Sequence, residues 1–178
     1  MAPAPTTPEF SRTVRLDQIG LATQSLDIAA DETERLALAR RFGLRSIDSL
    51  EAHYALDADR GGWIARGTLR ARVVQACVAT GQDVPESVDA PFAIRFLRDA
   101  EPAAEEVELS EDDCDVMTIE DDRIDMGEAI AQTLVLNLTP YPRAPDADEY
   151  LRKMGVRTEE EAGPLGALRD LLGKSAKG

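Results

Sequence analysis

The sequence predicts an α+β fold in which a curved antiparallel sheet, or partial barrel, packs with two main helices. Three observations carry that expectation. Every second residue from Trp63 onward (Trp63, Ala65, Gly67, Leu69, Ala71, Val73) is small or apolar, and Arg66, Thr68, Arg70 and Arg72 stand between them. This is the two-residue period of a strand with one buried face. The flanking stretches alternate too, with Leu50, Ala52, Tyr54, Leu56 and Ala58 before a Gly-rich turn and Val88, Ala90, Phe92, Ile94 and Phe96 after Thr80-Gly81-Gln82-Asp83. Elsewhere Asp31 with Glu34, and Asp125 with Glu128, each set an N-cap acid ahead of a Glu at the third helical position.

In chain order, residues 1–8 are mostly Pro, Ala and Thr. They bury too little apolar surface to offset their ordering entropy, which predicts a flexible N-terminal tail. Phe10, Arg12, Val14 and Leu16 alternate with polar neighbours, and Leu26 with Ile28 repeats the pattern after Gly20, predicting two further strands. The helix opened by Asp31 runs through ERLALARRF and closes at Gly43, with Leu38 and Phe42 one turn apart for packing.

Two hairpins then follow. With a loop from Asp59 to Gly62, Ala58 faces Trp63, Leu56 faces Ala65, Tyr54 faces Gly67 and Ala52 faces Leu69. The apolar rows coincide, and a slip of one residue would turn one of them to water. Centring the second loop on Thr80 to Asp83 sets Val73 opposite Ala90, Ala71 opposite Phe92, Leu69 opposite Ile94 and Gly67 opposite Phe96. Gly67 would then lie under the rings of Tyr54 and Phe96. Pro91 cannot donate to a ladder, so the third strand is expected at an edge or bulged there.

Residues 99–122 hold twelve acids and no Lys or Arg, which predicts a solvated acidic loop, with a brief strand from Val116 to Ile119. The pattern lacks the turn glycine and ligand spacing of a calcium loop. In the second helix Ile130, Leu134 and Leu138 recur at spacing four beside Ala131 and Val135, and Thr139-Pro140-Tyr141-Pro142 stops it. Residues 9–143 read as a single domain, and 144–178 as a polar C-terminal tail with a short helix at LGALRDLL.

The formal charge of −14 belongs mostly to residues 99–122, so the remainder is nearly neutral. That balance disfavours non-specific attraction of the whole molecule to nucleic acid or anionic lipid and favours basic partners. The first residues lack a secretory signal pattern, and no apolar run approaches the roughly 20 residues of a bilayer span, so a cytoplasmic protein without membrane contact is expected. Cys77 and Cys114 are expected reduced.

The sequence contains no Gly-rich phosphate loop, no G-x-S-x-G and no H-E-x-x-H. Its single histidine, His53, falls on the polar side of its strand, and any Ser/His or Cys/His pair would have to use it. Cys77 reads as a small buried thiol at the end of the long strand. No catalytic, cofactor or metal residues emerge, and a protein that is not an enzyme is expected. The alternative is a metal-dependent carboxylate hydrolase or nuclease built on acids such as Asp113, Asp115 or Asp122. Arg66, Arg70, Arg72 and Arg95 share one side of the meander by parity. One reading is that they pair across strands with Glu51, Asp57 or the acidic segment, since Glu51 falls opposite Arg70; the other is that they exceed the acids on adjacent strands and form a contact surface for RNA phosphate or an acidic protein. This face lacks the exposed aromatics that would stack single-stranded bases.

Phe10-Ser11-Arg12, the segment from Glu34-Arg35 through Leu38-Ala39 to Arg41-Phe42-Gly43-Leu44, GTLRARVVQACVATGQDV, RIDMGEAIAQTLVLNLTPYPRAP and GPLGALRDLL together resemble the YceD family. The resemblance covers most of the chain in the right order and implies a role in accumulation or maturation of large-subunit ribosomal RNA. Its implied partners are that RNA or ribosomal proteins. Independently of the resemblance, no DNA partner, no cofactor and a monomeric state are expected. Some relatives carry a second cysteine three residues after the one matching Cys77; here that position is Thr80, so no zinc site is expected. A further alternative is an acidic shield for a basic ribosomal protein.

Overall fold

The computed structural model describes residues 8–19, 24–59, 61–98, 115–119 and 121–156. The first hairpin is formed by β3 (Ser46–Asp59) and β4 (Gly62–Ala76), antiparallel, with Ala58, Leu56, Tyr54 and Ala52 facing Trp63, Ala65, Gly67 and Leu69 as their apolar rows require. The register shifts between Ile47 and Ser49. This bulge lets Ile47 and Leu50, which have opposite parity, both enter the core. At Gly67 a Cβ would come within 2.7 Å of Tyr54 Cα and nearer still to the His53 carbonyl, so any side chain here would collide with the neighbouring strand.

β2 (Gln24–Ala29) lies antiparallel along β3, and β5 (Asp83–Arg98) lies along β4, giving a sheet of order β2-β3-β4-β5-β6 that does not close. Val88, Phe92, Ile94 and Phe96 of β5 are buried, as their alternation predicts. The second hairpin, however, is not registered as expected. Phe96 stands beside Gly62, whose Cβ would strike its carbonyl oxygen, and so cannot lie opposite Gly67. The turn is closed by Cys77 N–H donating to the Gln82 carbonyl at 2.7 Å and Gly81 N–H to the Cys77 carbonyl at 2.8 Å. Gly81, with φ 72°, is therefore near the end of the turn and not in its middle. The displacement preserves parity, so the apolar rows still coincide.

β6 (Asp115–Ile119) matches the brief strand expected there, but it pairs in parallel with Ile94–Arg98, so the sheet is mixed. Pro91 sits where no described strand flanks β5 on its outer side, as a residue without an N–H requires. β1 is shorter than its alternation suggested, only Thr13–Arg15, and it pairs with β7 (Arg123–Asp125) in a separate two-stranded sheet. Phe10 lies ahead of β1, fully buried.

α1 (Glu32–Phe42) carries the expected reciprocal capping box, with Glu34 N–H donating to Asp31 Oδ1 at 2.9 Å and Asp31 N–H to Glu34 Oε2 at 2.8 Å, and Gly43 ends it at φ 68°. α2 (Met126–Leu136) is capped by Asp125, whose Oδ1 accepts from Gly127 N–H at 3.0 Å and Glu128 N–H at 3.2 Å. Glu128 does not return to the cap; its carboxylate takes Arg41 of α1 at 2.7 and 2.8 Å. Burial pushes the Glu128 carboxyl up, and bonds from Arg41 and Gln132 more than reverse this, leaving it below its ordinary value. The helix ends at Leu136, so Leu138 packs from beyond it, and Val135 is more exposed than the expected apolar face implied.

The same Asp125 holds the N-terminal segment. Its Oδ1 accepts Arg12 N–H at 2.8 Å, its Oδ2 accepts the Ser11 hydroxyl at 2.6 Å, and Met126 N–H donates to the Arg12 carbonyl at 3.0 Å. The crossing is close enough that a Cβ on Gly127 would stand 2.9 Å from Arg12 N.

The chain divides into two compact units, Met1–Gln75 with Pro85–Pro140 and Ala76–Val84 with Tyr141–Gly178. In the second, Cys77, Ala144 and Ala147 form a small apolar cluster, and α3 (Ala147–Lys153) occupies a segment for which no helix was expected. The LGALRDLL segment lies outside the described residues.

Asp125→Ala and Gly127→Ala should each cost about 2–3 kcal/mol, the first by leaving buried donors unmatched and the second by overpacking. Urea unfolding midpoints check this, and a loss under about 0.5 kcal/mol for either would contradict the tight crossing.

Candidate partner-binding surface

Strand alternation sends Leu69, Ala71 and Val73 inward and turns Arg66, Arg70 and Arg72 outward on β4, where all three are exposed. The four arginines differ in their freedom. Arg70 Nε lies 3.2 Å from Asp89 Oδ2, and Arg95 Nη2 lies 3.1 Å from Asp59 Oδ2. Arg95 Nε is buried with no partner among the described residues. Arg66 and Arg72 make no hydrogen bond or ion pair among the described residues. Glu51 stands opposite Arg70 in register, yet Arg70 takes Asp89 from the strand on its other side.

The expectation that the arginines exceed neighbouring acids does not survive the complete face. The pairing of β2, β3 and β4 places Asp27, Glu51, Asp57 and Asp59 on the same side, and Asp89 joins them. Acids and arginines are thus nearly balanced, because Asp27 of β2, Asp59 of β3 and Asp89 of β5 join Glu51 and Asp57, the two strand acids expected there. Of the four guanidiniums, those of Arg66 and Arg72 are the two without a hydrogen bond or ion pair among the described residues.

His53 receives two neighbours from β2. Its Nδ1 lies 2.7 Å from Asp27 Oδ1 and its Nε2 lies 2.9 Å from Ser25 Oγ, because Asp27 is opposite His53 and Ser25 is two residues along the same face. The chain has the connectivity of a serine-hydrolase triad, but the His53 and Asp27 side chains are 62% and 83% exposed. Water competes for each of these bonds, and the adjoining shallow cleft brings Glu51, a carboxylate that would repel a developing oxyanion. The arrangement is that of a hydrogen-bonded, solvated sheet face.

A second cleft, of about 490 Å³, was not visible in sequence. It is lined by Arg15 and Asp17 near β1, Trp63 of β4, Arg98 at the end of β5, and the Asp121-Asp122-Arg123 turn before β7. The Arg98 guanidinium lies 5.5 Å from the centre of the Trp63 ring. The alternation places Trp63 in the core row, and its indole is half-buried against that core. These residues are scattered along the chain, so no local spacing could have announced them.

The Cys77 thiol is buried, and its Sγ accepts the Ala144 N–H at 3.2 Å. That bond, followed by the Thr80 hydroxyl, lowers its pKa to about 7 against the opposing effect of burial. Thr80 thus occupies, as a hydrogen-bond partner, the place a second cysteine would take. Among the described residues no group of three His, Cys, Asp or Glu could hold a metal ion. Of the alternative acids, Asp122 is held by Arg98 at 2.8 Å, Asp115 opens β6, and Asp113 and Cys114 lie outside the described residues. No helix among the described residues is long and apolar enough to cross a membrane.

A family model described as large ribosomal RNA subunit accumulation protein YceD matches residues 65–172, more than half of the chain. No curated protein and no solved structure matches it.

The thiol yields a pH-dependent expectation. A group whose folded pKa is depressed contributes stability above its unfolded pKa and loses it as pH falls through the folded value, here about 7. Wild-type protein should therefore gain stability relative to Cys77→Ala as pH rises from about 7 to about 9. A constant difference at all pH values would show that folding leaves the thiol pKa unshifted, and a difference that falls as pH rises would show that the folded Sγ stays protonated.

Proposed function

The chain belongs to the YceD family, and we propose that it supports accumulation or maturation of large-subunit ribosomal RNA as a non-catalytic assembly factor that binds a partner. The family match carries this reading of function. The contact surface we assign to the outward sheet face, with Arg66 and Arg72 as the engaging groups and Arg70 and Arg95 flanking them. What supports this choice is that neither guanidinium has a hydrogen bond or ion pair among the described residues, while both are exposed on β4. A planar fork of donors suits phosphate oxygens or surface carboxylates. The partner is large-subunit RNA or a ribosomal protein, met in the cytoplasm by a monomer.

Affinity purification from cells with wild-type protein and with the Arg66→Ala, Arg72→Ala double variant tests the assignment. Wild type should retain large-subunit RNA or ribosomal proteins, and the folded variant should lose them. If RNA is contacted directly, each arginine removed should lower the slope of log affinity against log salt by about 1. Identical partners and unchanged ribosomal RNA levels would reduce the face to ordinary solvated sheet.

A further inference from the structure

We infer that the cleft between Arg15, Trp63, Arg98 and Arg123 binds single-stranded RNA, seating one unpaired nucleotide; this rests on the ribosomal reading above and gives it a site of direct contact. Three guanidiniums, with the carboxylates of Asp17, Asp121 and Asp122 among them, line a cleft of about 490 Å³, a size suited to a ligand on the scale of a nucleotide. Two of its lining residues are already paired, the Arg98 guanidinium lying over the Trp63 ring at 5.5 Å from its centre. Unpaired bases stack on guanidinium planes as they do on aromatic rings.

The anion-binding geometry is already populated by the protein's own carboxylates. Arg15 grips Asp17 with a two-point fork, Nε to Oδ1 at 3.0 Å and Nη2 to Oδ2 at 2.7 Å, and Arg98 holds Asp122 at 2.8 Å. A phosphate accepts from the same fork. Both pairs are largely exposed, and exposed ion pairs are weak, so exchanging a carboxylate for a phosphate loses little. The Arg123 side chain makes no hydrogen bond or ion pair among the described residues and is the group available for first contact.

The wall of the cleft is held by a strained turn. Asp121 and Asp122 are both left-handed, at φ 53° and 55°, a conformation side chains rarely adopt. It directs the Asp122 carbonyl to Leu16 N–H at 3.1 Å and its carboxylate to Arg98.

Trp63 is the sole tryptophan, so its fluorescence reports on this cleft directly. The full chain is titrated with a single-stranded oligoribonucleotide, the same sequence as a duplex, inorganic phosphate, and a lysine-rich peptide. The single strand should quench Trp63 saturably and bind about tenfold more tightly than the duplex. Arg123→Ala, which removes no side-chain hydrogen bond or ion pair among the described residues, should weaken it about fivefold, and Asp17→Asn should tighten it by removing the internal competitor. Absence of quenching, equal affinity for the duplex, quenching by phosphate alone, or peptide binding that Asp17→Asn weakens would each overturn the site. Co-purification of large-subunit material by both wild type and Arg123→Ala, with no RNA quenching, would reject the cleft and leave the ribosomal reading standing. Failure of wild type to co-purify any such material would reject that reading itself.

Discussion

The carboxylate of Asp125 is the point on which the first unit's assembly depends. One oxygen caps α2 and holds the backbone of Arg12, and the other holds Ser11, so the helix start and the N-terminal segment are fastened by one side chain. An acid at a helix N-terminus is favourable on its own, because it meets unsatisfied N–H groups and the positive end of the dipole. Here the same charge also positions a distant piece of chain. Phe10 is thereby delivered into the core, and Arg12 is placed where it pairs with Glu34 of α1 at 2.6 and 2.9 Å. Glu34 in turn caps its own helix, and its bonds with Arg12 hold its carboxyl below the usual range. Gly127 makes the arrangement possible by presenting no side chain where the two backbones cross.

The sheet follows a similar logic of backbone proximity. Gly62 and Gly67 each lie where a neighbouring strand comes too close for a Cβ, one beside β5 and one beside β3. Side chains such as Leu69, Ile94 and Tyr54 fill the inner face, and helices α1 and α2 add Leu38, Ile130 and Leu134 to the same core. The outer face is left mostly to charge, with Ile64 buried among it. Its cations and carboxylates are interleaved across β2, β3, β4 and β5, so what is available to a partner is decided by which pairs form, and not by composition.

Much of this was legible in the residues. The β3/β4 register followed from two apolar rows that can be buried together in only one way. The α1 capping box and its closing glycine are local devices that act within a few residues, and they appear as expected. The second hairpin was misregistered because an even shift leaves the apolar pattern unchanged, so hydrophobicity cannot distinguish the alternatives. Its turn was set instead by backbone bonds of Cys77, Gln82 and Gly81. α3 was missed because its core contribution among the buried residues is a single alanine, Ala147, too small a signal against a polar background.

The sequence by itself determined the alternation of faces, the helix starts and the concentration of acid in one segment, since each depends on neighbours a few positions apart. It also placed Arg66, Arg70, Arg72 and Arg95 on one side of the sheet. Tertiary structure alone decided which arginines are spoken for, because Asp89 and Asp59 reach them across strands. It alone brought Arg15, Trp63, Arg98 and Arg123 around one cleft, and Ser25 and Asp27 to His53. Electrostatic and hydrogen-bonding partners are chosen by distances of a few ångströms in space, and a linear pattern carries that information only where the partners are also close in the chain.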